Sequence, residues 1–385
     1  MSEGRVRGVA ILGSTGSIGT TALRVLARHR DRFRAAALTA FNNADLLREQ
    51  VAEFRPAFAG LVKEGARTNR SDDCSSWSMG PQCLVEAAKR DDVDIVINAV
   101  VGAAGLDATL AALSRGKRVA LANKETLVMG GPLVNAACAE GRGEIIPVDS
   151  EHSAILQCIT GRPGIEVRRV IITASGGPFR QWTRDQLERA TLEDALQHPT
   201  WRMGRKITVD SATLANKALE VIEAHFLFGL PYDKIEVVVH PQSIVHSFVE
   251  FVDGSVLAQV GVPSMELPVL YALTHPERVS DSGVPQFDPV AASPLTFEPL
   301  DAERFPAFAL GVAAGRKGGA APAIFNAANE AAVALFLDGR ISFRDIGPTI
   351  SGALDVLGSM PGGSRDELLA ADAAARRNVQ ARFGC

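Results

Sequence analysis

Cysteine is scarce in this chain of 385 residues. Its five cysteines, Cys74, Cys83, Cys138, Cys158 and Cys385, are scattered without a C-x-x-C pair or metal-type spacing. Such a set fits a reducing compartment better than a disulfide framework. No apolar run approaches the roughly 20 residues of a membrane-spanning helix, so no membrane role is expected. Positive charge is not in excess either. The formal net charge is −4 and the pI about 6.0, which argues against a nucleic-acid partner. Internal repeats and long low-complexity tracts are absent. MSEGRVR leads directly into a strand-like run, so no signal peptide is expected and the expected location is the cytoplasm. What remains is ordinary for a globular enzyme: 46% hydrophobic and 22% charged residues, at a length that predicts two or three domains.

The N-terminal run, residues 6–12, is β-branched and passes at once into GSTGSIG at 13–19, then into a helical pattern at 20–29. Strand, glycine turn and helix in that order are the context in which a glycine motif binds a dinucleotide. The glycines let the backbone approach a pyrophosphate, and the free N–H groups of the helix start favour an anion. The spacing is G-x-x-G-x-x-G, not the commoner G-x-G-x-x-G, and a plain tight turn is the competing reading. The next strand, 35–39, runs into Ala40-Phe41-Asn42-Asn43, with no carboxylate before Asp45. A carboxylate here would bind a ribose 2′-hydroxyl, so its absence favours NADP over NAD. Further strand-like runs at 57–62, 93–100, 118–122 and 144–148, separated by helical patterns, predict a parallel sheet with helices on its faces.

Two of those strand ends carry chemistry. Asn123-Lys124-Glu125 follows one and Asp149-Ser150-Glu151 the other, and open parallel sheets bind ligands outside the carboxyl ends of their strands. The D-x-E pair, with Glu220 as a third carboxylate, suits a hard divalent cation that keeps positions open for water or substrate. The alternative is that Asp149 and Glu151 only cap the next helix. From about residue 151 the pattern changes. A strand at 166–174 ends in Ser175-Gly176-Gly177-Pro178, a loop able to offer a hydroxyl and N–H groups to a phosphate. Strands at 235–240, 243–252 and 255–262, the last two joined by Asp253-Gly254, predict an antiparallel sheet in an α+β domain. His240 and His246 lie on strands and read as structural. Residues 275–300, with Pro276, Pro285, Pro289, Pro294 and Pro299, read as a linker. Helical patterns at 303–314, 323–337, 342–357 and 364–382 predict a small bundle, with capping boxes at Ser342/Asp345 and Ser364/Glu367.

The stretch 198–220, HPTWRMGRKITVDSATLANKALE, stands apart. Its second half predicts a helix beginning at Ser211. Asn216, Lys217 and Glu220 share one face of it, with Leu214, Ala218, Val221 and Ile222 on the other. Its first half places Trp201, Met203 and Gly204 among Arg202, Arg205 and Lys206 after Pro199, as in a mobile flap over an anionic ligand. The ordinary alternative is a solvated Lys–Glu pair worth roughly a few tenths of a kcal/mol, with Ser211 as a mere N-cap.

Together these pieces resemble one family closely, the 1-deoxy-D-xylulose 5-phosphate reductoisomerases. The resemblance rests on GSTGSIG at 13–19, ANKE at 122–125, VDSEHSA at 148–154, TASGGPF at 173–179, the whole of 198–220, HPQSIVHS at 240–247 and NAANE at 326–330. They follow the family's order over nearly the whole chain. The departure is at 41–43, where the family often has Gly, then Lys or Arg, then Asn near the 2′-phosphate. Here Phe41-Asn42-Asn43 keeps only the Asn.

The resemblance implies an α/β chain in three parts. These are a Rossmann-like NADPH domain at 1–150, an α+β catalytic domain at 151–274 with an antiparallel sheet and a flap at 198–206, and a C-terminal α-helical bundle at 301–385 after a linker at 275–300. It implies a homodimer that rearranges a five-carbon keto-sugar phosphate and reduces the resulting aldehyde with NADPH, giving 2-C-methyl-D-erythritol 4-phosphate for non-mevalonate isoprenoid synthesis. Asp149, Glu151 and Glu220 would hold Mg²⁺ or Mn²⁺, with Co²⁺ admissible. Ser175, Ser211, Asn216 and Lys217 would receive the phosphate, Lys124 and Ser150 would orient hydroxyls, and His198 would contact substrate at the flap's hinge. Lys124, Glu151, His198 and Glu220 are thus the expected catalytic set. Thr15, Gly16, Ser17, Ile18, Asn43, Asn123, Glu125 and Gly204 would contact the dinucleotide. Two rival classes are an NADP-linked sugar-phosphate dehydrogenase without rearrangement and a dinucleotide-sensing regulator. The carboxylate triad argues against the first, because simple hydride transfer needs no enolate stabiliser. The acidic pI and lack of a recognition-helix motif argue against the second.

Overall fold

The β-branched run at the N-terminus forms β1 (Arg7–Leu12), and the glycine turn leads into α1 (Ser17–Arg28). The chain continues through β2 (Phe33–Ala40), α2 (Ala44–Phe54), β3 (Phe58–Leu61), β4 (Ser78–Met79), α3 (Gln82–Lys89), β5 (Ile95–Asn98), α4 (Gly105–Leu113), β6 (Arg118–Leu121), α5 (Lys124–Gly141), β7 (Glu144–Pro147) and α6 (Ser150–Ile159). The computed structural model describes residues 5–63, 76–162, 164–201 and 203–384; Cys74, Arg202 and Cys385 lie outside them. Two compact units emerge. The first comprises Met1–Thr126, Pro132–Ser153 and Ser264–Pro285, and the second Leu127–Gly131, Ala154–Pro263 and Gln286–Cys385.

In the first unit seven strands run in the order β4-β3-β2-β1-β5-β6-β7, every pair parallel. The central strands are apolar on both faces, with Val9, Ala10, Ile11, Leu12, Val96 and Ile97 all fully buried, as a parallel sheet covered on both sides requires. The short edge strand β4 carries too few residues to show as a period in the sequence. Parallel pairing puts every strand's carboxyl end on one edge, so the glycine turn, Asn43, Asn123 and Asp149 all follow strands there or open the next helix.

Residues 264–285 join this first unit rather than forming the end of a catalytic domain and a free linker. Their helix α11 (Glu266–Thr274) buries Val269, Leu270, Tyr271 and Leu273. The following turn is held by charge. Arg28 pairs with Glu266 and with Asp281 at 2.7 Å, His29 meets Asp281 at 2.9 Å, and Arg32 pairs with Glu277. Arg7 and Arg118 donate to the carbonyl of Leu273 at 3.0 and 3.2 Å. Proline content alone reads as a linker because it reports only on local backbone, not on partners 240 positions earlier.

The second unit is built on β8 (Val167–Ala174), β9 (Ile235–Val239), β10 (Val245–Phe251), β11 (Val256–Val260) and β12 (Glu298–Pro299), in the order β11-β10-β8-β9-β12. The expected antiparallel sheet is in fact mixed. The hairpin through Gly254, φ +85°, is antiparallel, but β8 and β9 pair in parallel. Between these two strands the chain crosses over through α7 (Arg184–Leu187), α8 (Leu192–Leu196), α9 (Arg205–Ala212) and α10 (Ala215–Phe228), and a helical crossover returns a strand in the same direction. Ile155, Cys158, Val221 and Ala224 pack on Val170, Ile172, Ile235 and Val249 to make the core.

The C-terminal helices α12 (Pro306–Lys317), α13 (Ala321–Leu337), α14 (Ile346–Leu357) and α15 (Arg365–Arg382) belong to this same unit. Both expected capping boxes are present, at Ser342/Asp345 and Ser364/Glu367. A polar chain ties the bundle to α9: Lys206 to Asp210 at 3.0 Å, Asn329 to Asp210 at 2.8 Å, and Arg376 to Glu330 at 2.6 Å. Among the described residues no helix is long and apolar enough to cross a membrane.

The charge clamp on residues 264–285 makes a prediction. Arg28→Ala removes two carboxylate partners at once, so amide exchange across 264–285 should accelerate relative to β1 and β5, with a global loss of roughly 1–2 kcal/mol. Exchange followed by mass spectrometry reads both.

Candidate active site

On the first unit the turn after β1 is shaped by glycine. Gly13 has φ +85°, and a Cβ there would lie 2.7 Å from the carbonyl oxygen of Ala99. A Cβ on Gly19 would lie 2.3 Å from the carbonyl oxygen of Gly13. These two positions need glycine for separate reasons, backbone sign in one and close approach in the other. The turn is pinned from beneath. The N–H groups of Gly13 and Ser14 donate to the carbonyl of Thr39 at 3.0 and 2.8 Å. Buried Gln50 accepts from the Ser14 hydroxyl at 2.7 Å and donates back to the Ser14 carbonyl at 3.0 Å. Gln50 carries no sequence signal, since a glutamine on a helix reads as a surface residue. Helix α1 begins after Gly16 with no side-chain cap, so its first N–H groups are presented bare, the condition for holding a phosphate. Gly16 and Ser17 are exposed, with Thr15 and Ile18 half-buried.

Asn43 is the N-cap of α2, its side-chain oxygen accepting from the N–H of Leu46 at 3.1 Å. Asp45 is engaged by Arg48 at 2.9 Å. Asn123 and Glu125 behave differently from simple surface contacts. Asn123 is buried and donates to Val100 and Gly102 carbonyls at 3.0 Å each and to Glu125 at 2.9 Å, while its oxygen caps α5 through Thr126 at 3.0 Å. Its side chain is spent on the protein, so it shapes the strand end from within.

Beside it, buried Lys124 pairs with Asp149. Asp149 precedes α6, and its backbone carbonyl accepts from Ser153 at 2.8 Å. Its carboxylate pairs with Lys124. Ser150 donates to Glu151. His152, fully buried, has Nδ1 3.9 Å from Asp149. That histidine went unread in VDSEHSA, although its spacing of three from Asp149 puts both on one helix face.

On the second unit the 198–220 stretch differs from the expected single helix beginning at Ser211. Arg205 and Lys206 already lie on α9, so the expected flap at 198–206 is irregular only as far as Gly204, the N-cap of α9. Ser211 sits near the end of α9. The break comes at Leu214, a buried residue with φ +59°, after which α10 starts at Ala215. A left-handed leucine is unfavourable by about 1–2 kcal/mol and persists only because its surroundings fix it. No sequence rule predicts it, because propensity assigns αL to glycine or asparagine.

The break aims α10 inward. Lys217 and Glu220 are not a solvated pair: they are 4% and 1% exposed. Lys217 donates to the carbonyl of Thr173 at 2.7 Å and to Glu220 at 2.5 Å, and Asn216 donates to the other Glu220 oxygen at 2.6 Å. The Ser175 loop lies against α9, since a Cβ on Gly177 would be 2.6 Å from the Ser211 carbonyl oxygen.

His198 is defined by its partners. Its Nδ1 accepts from the N–H groups of Thr200 and Trp201 at 3.1 and 2.9 Å, and its Nε2 lies 3.0 Å from the Ser175 hydroxyl. Two donors on Nδ1 leave the proton on Nε2, so Nε2–H donates to Ser175 Oγ, which also accepts from the N–H of Gly177 at 3.3 Å. The Ser175 proton is thereby left for another acceptor, as a phosphate would be. Burial pushes the His198 pKa down to about 4, which keeps the ring neutral. His240 is structural: Nδ1 bonds the Thr296 carbonyl at 2.8 Å and Nε2 accepts from Ile244 at 3.1 Å.

Family models match residues 9–131 (1-deoxy-D-xylulose 5-phosphate reductoisomerase), 145–228 (its C-terminal domain) and 260–378 (DXP reductoisomerase C-terminal domain). The chain is 50% identical to the 1-deoxy-D-xylulose 5-phosphate reductoisomerase of Chloroherpeton thalassium, over 96% of this chain and 97% of that one. It is also 50% identical to that of Rippkaea orientalis, over 90% and 88%. Among solved structures, the reductoisomerase of Zymomonas mobilis in complex with NADPH superposes with a TM-score of 0.91 at 42% identity, covering 98% of this chain and 99% of that one. A DOX-P reductoisomerase in complex with NADPH, fosmidomycin and magnesium does so with 0.92 at 38% identity, covering 98% of each.

The depressed His198 pKa predicts a pH dependence. Above about pH 6.5 the ring is neutral in both folded and unfolded chains. Between 6.5 and about 4 the unfolded chain takes up a proton that the folded one refuses, so stability falls as pH falls. His198→Asn should shrink the drop in denaturation midpoint between pH 7 and pH 5. An equal drop in both proteins would contradict the assignment.

Proposed function

Because the chain belongs to the 1-deoxy-D-xylulose 5-phosphate reductoisomerase family, we propose how its two units divide that reaction. The protein is an NADPH- and divalent-metal-dependent oxidoreductase. It rearranges 1-deoxy-D-xylulose 5-phosphate and reduces the product to 2-C-methyl-D-erythritol 4-phosphate, in the non-mevalonate route to isoprenoid precursors. The observation that carries the residue assignment is the buried Lys217–Glu220 pair with Asn216 donating to it, on the helix that follows α9, against whose Ser211 the Ser175 loop packs.

Asp149, Glu151 and Glu220 would hold the cation. Their donors are all carboxylate oxygens, the set that suits Mg²⁺ or Mn²⁺. When bound, the cation is a Lewis acid for negative charge on the substrate's carbonyl and hydroxyl oxygens. Ser175, Ser211 and Asn216 donate neutral hydrogen bonds to the phosphate, and Lys217 gives the matching charge. Lys124 and Ser150 orient substrate hydroxyls, with Lys124 able to hold a proton beside Asp149. Neutral His198 directs the Ser175 hydroxyl and anchors 198–204, whose Trp201 and Met203 cover the substrate and exclude water.

The first unit is the NADPH unit. Thr15, Gly16, Ser17 and Ile18 would take the pyrophosphate at the uncapped start of α1, and Asn43 would contact the dinucleotide. Asn123 and Glu125 would shape the cofactor site from within, and Gly204 would be a further dinucleotide contact. NADPH supplies hydride. The second unit combines the catalytic sheet and flap with the helical bundle. The working assembly is a homodimer in the cytoplasm, where scattered free thiols stay reduced.

Asp149→Asn, Glu151→Gln and Glu220→Gln should each lower kcat/KM at limiting Mg²⁺ by at least about a hundredfold, or ~2.7 kcal/mol. NADPH binding should be retained in all three. Near-normal turnover in one variant would remove that residue from the cation's ligands. Cofactor choice gives a second check. With Asn42 and Asn43 offering only neutral bonds, Asn42→Arg should raise the NADPH/NADH ratio of kcat/KM by about tenfold, the gap between neutral and charge-assisted bonds. Asn43→Asp should lower it, and an unchanged ratio in Asn43→Asp would place the 2′-phosphate elsewhere.

A further inference from the structure

The first unit departs from its family in the loop after β2, where Phe41-Asn42-Asn43 stands in place of Gly, Lys or Arg, and Asn. The loop has thus lost its cation. All three of its residues are exposed. Asn43 spends its side-chain oxygen on the N–H of Leu46 at 3.1 Å, which leaves its amide N–H groups as neutral donors. The nearest basic residue along the chain, Arg48, is paired with Asp45 at 2.9 Å. A charge-assisted hydrogen bond to phosphate is roughly twice as strong as a neutral one, so a loop without a cation discriminates weakly between NADPH and NADH unless a charge arrives from another element.

The sheet brings one. β2 and β3 pair in parallel with Ala40 opposite Leu61, and the ladder runs on past both strands. The N–H of Val62 donates to the Ala40 carbonyl at 2.9 Å, and the N–H of Lys63 donates to the Phe41 carbonyl at 2.8 Å. Lys63 is therefore fixed in register with the loop, on the same carboxyl edge of the sheet. It is exposed, and among the described residues no carboxylate pairs with it. Neighbouring strands lie about 4.8 Å apart, a gap that a flexible four-carbon stem spans.

We propose that Lys63 is the residue that determines cofactor specificity: its ammonium meets the 2′-phosphate of NADPH beside Asn43, in place of the cation that position 42 lacks. This rests on the reading that Asn43 contacts the dinucleotide. Two adjacent strand ends of a parallel sheet face the same ligand group, so a charge lost from one end is made good from the other. Lysine suits the task because it binds phosphate as a point charge and needs no fixed fork geometry.

NADPH and NADH, titrated separately into the full chain by calorimetry at one low ionic strength, test this. Lys63→Gln should weaken NADPH binding by about tenfold and leave NADH binding within about twofold of wild type. Lys63→Arg, which keeps the charge, should preserve the preference for NADPH. Lys63 is exposed, so these variants leave the core intact. Asn43→Asp still caps α2 but sets a carboxylate against the 2′-phosphate, so it should weaken NADPH binding with or without help from Lys63. Unchanged NADPH affinity in Asn43→Asp would overturn the placement of the 2′-phosphate and the proposal with it. Weakened binding in Asn43→Asp beside unchanged binding in Lys63→Gln would overturn the proposal alone. So would an equal loss of NADPH and NADH binding in Lys63→Gln, the mark of a structural role, or loss of the preference in Lys63→Arg.

Discussion

A lysine and a glutamate buried side by side must satisfy each other, and the second unit is arranged around that requirement. Taking either charge out of water is unfavourable by several kcal/mol, and removing one partner of a buried pair leaves a deficit of roughly 3–5 kcal/mol. Lys217 is met by Glu220 and the Thr173 carbonyl, and Glu220 by Lys217 and Asn216. Satisfying them needs Thr173 at the next-to-last position of β8, and α10 to begin one residue after a left-handed leucine. The polar face of α10 points inward because the break at Leu214 turns it there, while Val221 and Ala224 hold the helix on the sheet. Fold and site are therefore one construction: the core that buries α10 is also what makes its charges potent.

The first unit solves a different problem. A parallel sheet delivers all its strand ends to one edge, and there the glycine turn, Asn43, Asn123 and Asp149 gather. Glycine at 13 and 19 lets the turn fold tightly, Gln50 and Thr39 hold it, and Asn123 ties the neighbouring strand end to Val100 and Gly102. The Lys124–Asp149 pair keeps a basic and an acidic group together, both largely shielded from solvent. Rigid support beneath and reactive groups above is the division expected of a preorganised site.

Much of this was legible in the residues, and the failures have distinct physical causes. Strands β1, β2, β5, β6 and β7 were readable because buried parallel strands are continuous apolar runs. The capping boxes at Ser342 and Ser364 were readable because a cap is a local bond. The helix start at Ser211 was misplaced because Leu214 adopts a backbone that only its surroundings impose. The mixed sheet was read as antiparallel because strand direction depends on the crossover, which has no residue signature. The segment 264–285 was read partly as linker because Arg28, Arg32 and Arg118, which hold it, are far away in the chain. Arg205 and Lys206 were read as flap, although Gly204 before them is the helix start.

By itself the sequence determined the inventory: a glycine turn between strand and helix, carboxylates and a lysine at strand ends, a serine-glycine loop, and a stripe of Asn216, Lys217 and Glu220 at helical spacing. Those depend on local geometry and on periods of two and 3.6 residues, which a one-dimensional reading can follow. Only the tertiary structure decided which groups are buried, and hence which charges must be paired. It decided the tautomer of His198, set by two N–H donors and Ser175, and the satisfaction of Lys217 by Thr173 from 44 positions earlier. Solvation is a property of what surrounds a group in space, and sequence distance does not encode it.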